Sequence, residues 1–240
     1  MKIAQIGPFH EPVSLDSEGP AARMIALLAS GLLQLGHDVT VFASGDSSTA
    51  GDVVPVAPRA MRSYPMPKRH LAEGLAMLAL EKAFAVTPAF DVIHVHAGIA
   101  AFPLMRRSPV PIVATVYESL DAPEVLTLYR TFHELALIAS SSTQIHQGPE
   151  LNWQALIPLA ESRNLEIERG LEAQTARAYE TVYEWAILTR PTEVGRAAYF
   201  GAVDRRHDRT RSIQTPAPMT PCVRAKDLQR LESGRSNVLR

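Results

Sequence analysis

Two histidines separated by one residue, His94 and His96, are the first pair in the chain whose types and spacing can do chemistry. They close the run Phe90-Asp91-Val92-Ile93-His94-Val95-His96, which reads as a strand. The two-residue period of a strand puts both rings on one side, at the end where a ligand crevice is expected. An imidazole titrates near neutral pH, so either ring can orient or deprotonate a hydroxyl. His-x-His is also a metal-ligand spacing, but no third ligand has a matching position, and no metal is expected. The plainer reading is a hydrogen-bonded histidine at a strand end. A second group, Thr115-Val116-Tyr117-Glu118, ends the next apolar run. Glu118 can accept a proton, whereas a tyrosine such as Tyr117, with a reference pKa near ~10, is normally protonated and makes a poor base. These residues also fit a strand end followed by a polar turn. Ser140-Ser141-Ser142-Thr143 can hydrogen-bond a ligand, but capping the next helix suits it better.

The elements that carry these residues alternate. Lys2 to Phe9 reads as a buried first strand closed by Gly7-Pro8, and Pro20 suits the first turn of a helix. Met24, Ile25, Leu28, Leu32 and Leu35 recur at helical spacing before Gly36. Val39 to Ala43 is a second strand, and Val53 to Val56, with Pro55, is an edge strand. Lys68 to Val86 reads as a helix, with Leu71, Leu75, Leu78 and Lys82 along one face. The strand ending in His96, the strand Pro111 to Tyr117, a short helix Pro123 to His133 and a sixth strand Leu135 to Ala139 follow. Strands alternating with helices predict an α/β fold, a Rossmann-like parallel sheet with flanking helices. After Pro158 the strand signal ends. Ala160 to Thr189 reads as one long helix, with Gly170 as a candidate break, and Pro191 stops it. From Arg205 the chain is basic and proline-bearing, the composition of a poorly ordered tail. The expected organisation is therefore a domain over 1–158, a helical segment over 159–190 packing back on it, and a tail over 191–240.

Bulk properties narrow the function. The 240 residues are 46% hydrophobic and 20% charged, enough apolar side chain for a sizeable core. A net charge of −1 gives no electrostatic case for nucleic acid. Cys222 is the single cysteine, which excludes an intramolecular disulfide and fits a reducing, cytoplasmic setting. No apolar stretch reaches the roughly 20 residues that span a bilayer. No Gly-x-Gly-x-x-Gly follows the first strand, which argues against a dinucleotide oxidoreductase.

Four passages in register resemble the N-terminal domain of family 4 glycosyltransferases of the GT-B class. They are Met1 to Pro8, Leu35-Gly36-His37-Asp38-Val39-Thr40-Val41-Phe42-Ala43-Ser44-Gly45, Phe90 to His96, and Pro111 to Val116. The resemblance implies one of two Rossmann-like halves, the one that holds the acceptor. It implies sugar transfer from a nucleotide-sugar co-substrate to a sugar or glycan acceptor, with no other cofactor. Through it, Gly19 and Arg23 in the loop Ser17 to Arg23, together with His96, Thr115 and Tyr117, become substrate-binding candidates. His94, His96 and Glu118 become candidate catalytic groups. The chain departs from the family pattern where Pro20 replaces a second loop glycine and Tyr117 replaces a histidine.

The resemblance also implies a second half that binds the donor through a glycine-arginine loop, a nearby lysine and two glutamates seven residues apart. No such passage follows Pro158, so the chain is expected to be a truncated GT-B protein. Ala178-Tyr179-Glu180-Thr181-Val182-Tyr183 loosely resembles the last helix of such enzymes, which crosses back onto the first domain. Activity would then need a partner chain supplying a donor domain. The alternative is a non-catalytic glycan- or nucleotide-binding module, a relic or regulator of such an enzyme.

Overall fold

A computed structural model of the chain describes residues 1–65, 71–86, 90–159 and 165–189, and the backbone alone over 165–171. The expected tail and residues 160–164 lie outside the described residues. Residues Met1–Leu188 form one compact unit.

Seven strands form one all-parallel sheet: β1 (Lys2–Ile6), β2 (Asp38–Ser44), β3 (Asp52–Ala57), β4 (Val92–Val95), β5 (Ile112–Val116), β6 (Ala136–Ala139) and β7 (Trp153–Leu156). Their order is β3-β2-β1-β4-β5-β6-β7. The Rossmann-like reading holds, with one strand more than the sequence analysis found. Trp153–Leu156 is a partly buried edge strand without β-branched residues, so neither period nor propensity marks it. Helices α1 (Pro20–Gln34), α2 (Leu71–Ala85), α3 (Phe102–Met105), α4 (Pro123–Thr131), α5 (Ser142–Gln147) and α6 (Leu165–Leu188) surround the sheet.

Strand alternation sends every second side chain to each face, and both faces are apolar. Ala4, Ile6, Ile93, Val95, Ala114, Val116 and Leu137 face α2, α3 and α4. Ile3, Val39, Val41, Val92, Val113 and Ile138 face α1 and α6. Right-handed crossovers explain the division. The chain winds outward from β1 to β3, then returns across the sheet to β4 and winds the other way. The helix after β1 therefore lies on one face, and the helices after β3, β4 and β5 lie on the other. This winding leaves the first face bare over β4 to β6, and α6 covers it with Ala176, Tyr179, Val182, Tyr183 and Ala186.

Local chemistry sets the ends of α1. Gly19 is its extended N-cap, and Pro20 takes the first turn, where an amide is not needed. At the other end Gly36, at φ 82°, allows its own amide to reach Leu33 O and that of His37 to reach Leu32 O. Further along, α1 and α6 meet so closely that a Cβ on Gly31 would lie 2.7 Å from Ala176 Cβ and 2.9 Å from Glu172 O. Gln34 Nε2 donates to Glu172 Oε1 at 3.1 Å, and His37 Nε2 lies 2.8 Å from Glu180 Oε1.

Along α2, Leu71 and Leu78 are exposed, Leu75 packs partly buried against the core, and Ala72, Ala76, Ala79, Leu80 and Ala83 are buried. Small side chains let a helix lie close to the sheet, so the alanine face wins. The helix backbone of α6 also runs through Gly170 without a break. Tertiary packing of its later turns outweighs the roughly 1 kcal/mol propensity cost of one glycine.

Candidate functional site

Both histidines lie on the face that α6 covers. His94 and His96 are buried, with ring centroids 3.9 Å apart. Gln5 from β1 and Thr115 from β5 flank them, also buried. Tyr183 Oη lies 2.7 Å from His94 Nδ1, and Thr115 Oγ1 lies 2.8 Å from His94 Nε2. Tyr117 Oη lies 2.6 Å from His96 Nδ1, and Gln5 Oε1 lies 2.7 Å from His96 Nε2. Gln5 Nε2 donates to Tyr183 Oη at 3.3 Å, and Tyr179 Oη lies 3.3 Å from Thr115 Oγ1.

One arrangement of protons satisfies this track. Each tyrosine hydroxyl, Tyr183 and Tyr117, donates to a histidine Nδ1. Each Nε2–H then donates onward, to Thr115 and to Gln5. Both imidazoles are neutral in this arrangement. Burial lowers the His94 pKa well below its ordinary value, and the charge of His96 adds to that effect. Burial alone pushes His96 down to about 3. Burial likewise raises the pKa of Tyr117 and Tyr183, which keeps their protons in place. All four imidazole nitrogens are thus committed to protein partners. His94 and His96, both expected at the crevice, are instead buried on the face that α6 covers, because alternation fixed their face of the sheet and α6 closed it.

The crevice end of the sheet carries a different set. Glu118 follows β5 and is partly buried. Its Oε1 accepts from Tyr129 Oη at 2.6 Å, and its Oε2 accepts from the Tyr117 amide at 3.3 Å. Tyr129 rises from α4 on the opposite face, buried with its ring edge-on to Phe102. Its ionisation is pushed far up by burial and by the Glu118 carboxylate, so it acts as a donor. Gly98 follows β4 at φ 75°. Gln144 Nε2 donates to Val116 O at 3.1 Å and to Glu118 O at 2.9 Å. The expected cap is present: Ser141 and Gln144 form a capping box at the start of α5.

The β1–α1 loop is occupied by the chain's own carboxylate. Glu11 Oε2 accepts from the Glu18 amide at 3.2 Å and faces Arg62 Nη1 at 3.4 Å. A Cβ on Gly19 would fall on this carboxylate. Arg23 sits in the first turn of α1, where its amide donates to Gly19 O. The structure thus joins His94, His96, Thr115 and Tyr117 in one track, sets Glu118 beside its end, and places Gly19 in a separate cluster with Glu11.

A scan against family models matches Glycosyltransferase Family 4 over residues 21–147, more than half of the chain. The chain belongs to Glycosyltransferase Family 4. The matched stretch of this family 4 chain runs from the start of α1 through α5, so it carries Arg23, both histidines, Thr115, Tyr117 and Glu118. No curated protein matches the chain. Among the described residues, α6 is the element that follows β7, with no second strand–helix series. No helix among them is long and apolar enough to cross a membrane.

Four participants were missed by sequence reasoning: Gln5, Tyr129, Tyr179 and Tyr183. Gln5 left a signal, a lone amide inside an otherwise apolar strand. Tyr179 and Tyr183 stand four apart, on one helix face. Tyr129 left none, because nothing local says that its hydroxyl meets Glu118.

Proposed function

We propose that this chain is the acceptor-side half of a sugar-transfer system. It binds a hydroxyl-bearing sugar or glycan at the carboxyl ends of β4 and β5, and a separate chain supplies the nucleotide-sugar site. Family membership supports the sugar-related substrate, and a doubly wound sheet takes its ligands at the carboxyl ends of its strands. The observation that carries the reading is the carboxylate of Glu118, fixed at that edge beside a glycine. The filled loop at Gly19 favours a donor site elsewhere, since Glu11 already places negative charge where a diphosphate would approach.

The second reading is a non-catalytic glycan-binding module. The committed nitrogens of His94 and His96 favour it, because neither ring is left as a base. Saturation-transfer NMR with simple sugars tests both readings, and transfer of a labelled sugar from UDP-glucose once a donor-half chain is added, expected only under the first, separates them. Binding without transfer by the chain alone supports an acceptor half or module, and the absence of any sugar binding contradicts both.

A further inference from the structure

Glu118 is held more tightly than a surface carboxylate needs to be. Tyr129 Oη and the Tyr117 amide occupy two of the roughly four lone-pair positions of the carboxylate. The Tyr129 ring is fixed by packing 5.2 Å from Phe102 at an interplanar angle of 86°. The backbone of Glu118 is pinned as well, since its carbonyl accepts from Gln144 Nε2 at 2.9 Å and the neighbouring Leu120 amide donates to Gln147 Oε1 at 2.8 Å. On the β4 side stands Gly98, where a Cβ would come within 3.7 Å of Glu118 Oε1. The bare glycine leaves one flank of the carboxylate without a side chain. Exposed Ser119, the residue after Glu118, and partly buried Gln147 of α5 add a hydroxyl and an amide, joined at 3.2 Å.

We propose that Glu118 receives the acceptor, taking hydrogen bonds from adjacent hydroxyls of an uncharged sugar or polyol, and that Tyr129 is its positioning residue. The proposal rests on the acceptor-half reading above and names its substrate class. A carboxylate with two lone-pair positions unpaired among the described residues matches two neighbouring hydroxyl donors. The same fixed negative charge disfavours phosphorylated or carboxylated sugars. Tyr129 holds one oxygen of the carboxylate, so the other lone pairs point in a set direction and less ordering is needed on binding.

The test uses the full chain labelled with ¹³C at the glutamate side-chain carboxyls. It is titrated with methyl α-glucoside, with myo-inositol and, as the charged comparison, with glucose 6-phosphate. The Glu118 signal is assigned by its loss in Glu118→Gln or, if that variant does not fold, by its loss in Glu118→Asp. The expected result is movement of this signal with the two neutral probes and none with glucose 6-phosphate. Glu118→Gln weakens neutral binding by about tenfold or more, the range expected for a lost hydrogen bond to a charged group. Tyr129→Phe weakens it less, and the double variant binds no worse than Glu118→Gln alone. That non-additivity marks action through Glu118, and a merely structural tyrosine would give additive losses. A static Glu118 signal while other signals move with sugar overturns this proposal and leaves the acceptor-half reading standing. If no signal moves with any sugar, the acceptor-half reading falls and takes this proposal with it.

Discussion

The hydroxyl of Tyr183 lies 2.7 Å from Nδ1 of His94, joining the last described helix to the middle of the sheet across 89 positions of chain. This contact makes α6 part of the domain rather than an appendage. It also turns His94 into a fastening: with Gln5 and Thr115 it satisfies the hydroxyls that α6 brings down onto the sheet, and His96 holds Gln5 from the other side. Replacing Tyr183 by Phe leaves His94 Nδ1 and Gln5 Nε2 without a buried partner. The expected loss is about 1–3 kcal/mol in urea unfolding, with faster hydrogen exchange concentrated in α6.

Acid should loosen the same fastening. Both histidines titrate far lower in the folded chain than in the unfolded one, where their pKa is about 6.5. The unfolded state therefore binds more protons once the pH drops below about 6.5, and stability falls as pH falls. The histidine contribution is whole above that value and is lost progressively towards pH 3. Each histidine contributes a slope of about 1.4 kcal/mol per pH unit well inside that window. Unfolding free energies from urea titrations between pH 7.5 and 5 should fall with a slope that approaches two protons at the acid end, reduced by about half in His96→Gln if that variant folds.

The close crossing of α1 and α6 gives a steric prediction. A methyl group at Gly31 meets the backbone oxygen of Glu172 and the Cβ of Ala176, neither of which can rotate away. Gly31→Ala should destabilise the chain by about 1–3 kcal/mol, as overpacking does, despite the better helix propensity of alanine. A thermal midpoint at or above that of the parent chain would show that α6 is not seated on α1 as described.

Gly19 should behave differently. The atoms that an added methyl would meet belong to the flexible end of Glu11. Gly19→Ala should displace that carboxylate and cost less than about 1 kcal/mol, the scale of a charge near a helix N-terminus. Glu11→Ala should cost a similar amount, and the double variant no more than either alone. Denaturant unfolding of the three variants checks this coupling.

The sheet was legible because alternation and β-branched runs mark six of its strands, from Lys2 to Ala139. The seventh was not, since Trp153 to Leu156 carries a strand's geometry without its residue pattern. The buried face of α2 was not legible either: its alanines lie closest to the sheet, while Leu71 and Leu78 stay exposed. For the site, the positions of His94, His96, Thr115, Tyr117 and Glu118 could be read from strand ends. Which of them meet α6 and which stay at the open edge could not, because that depends on Tyr179, Tyr183 and Tyr129 arriving from distant helices. Sequence spacing carries no information on such encounters.

The central proposal is that the described residues of this family 4 chain hold the acceptor side, and that their β1–α1 loop, filled by the Glu11 carboxylate, holds no nucleotide-sugar. Isothermal titration of the full chain with UDP, GDP and UDP-glucose addresses it most directly. The account predicts no binding tighter than millimolar for any of the three. Micromolar binding of any one of them by the chain alone would contradict it.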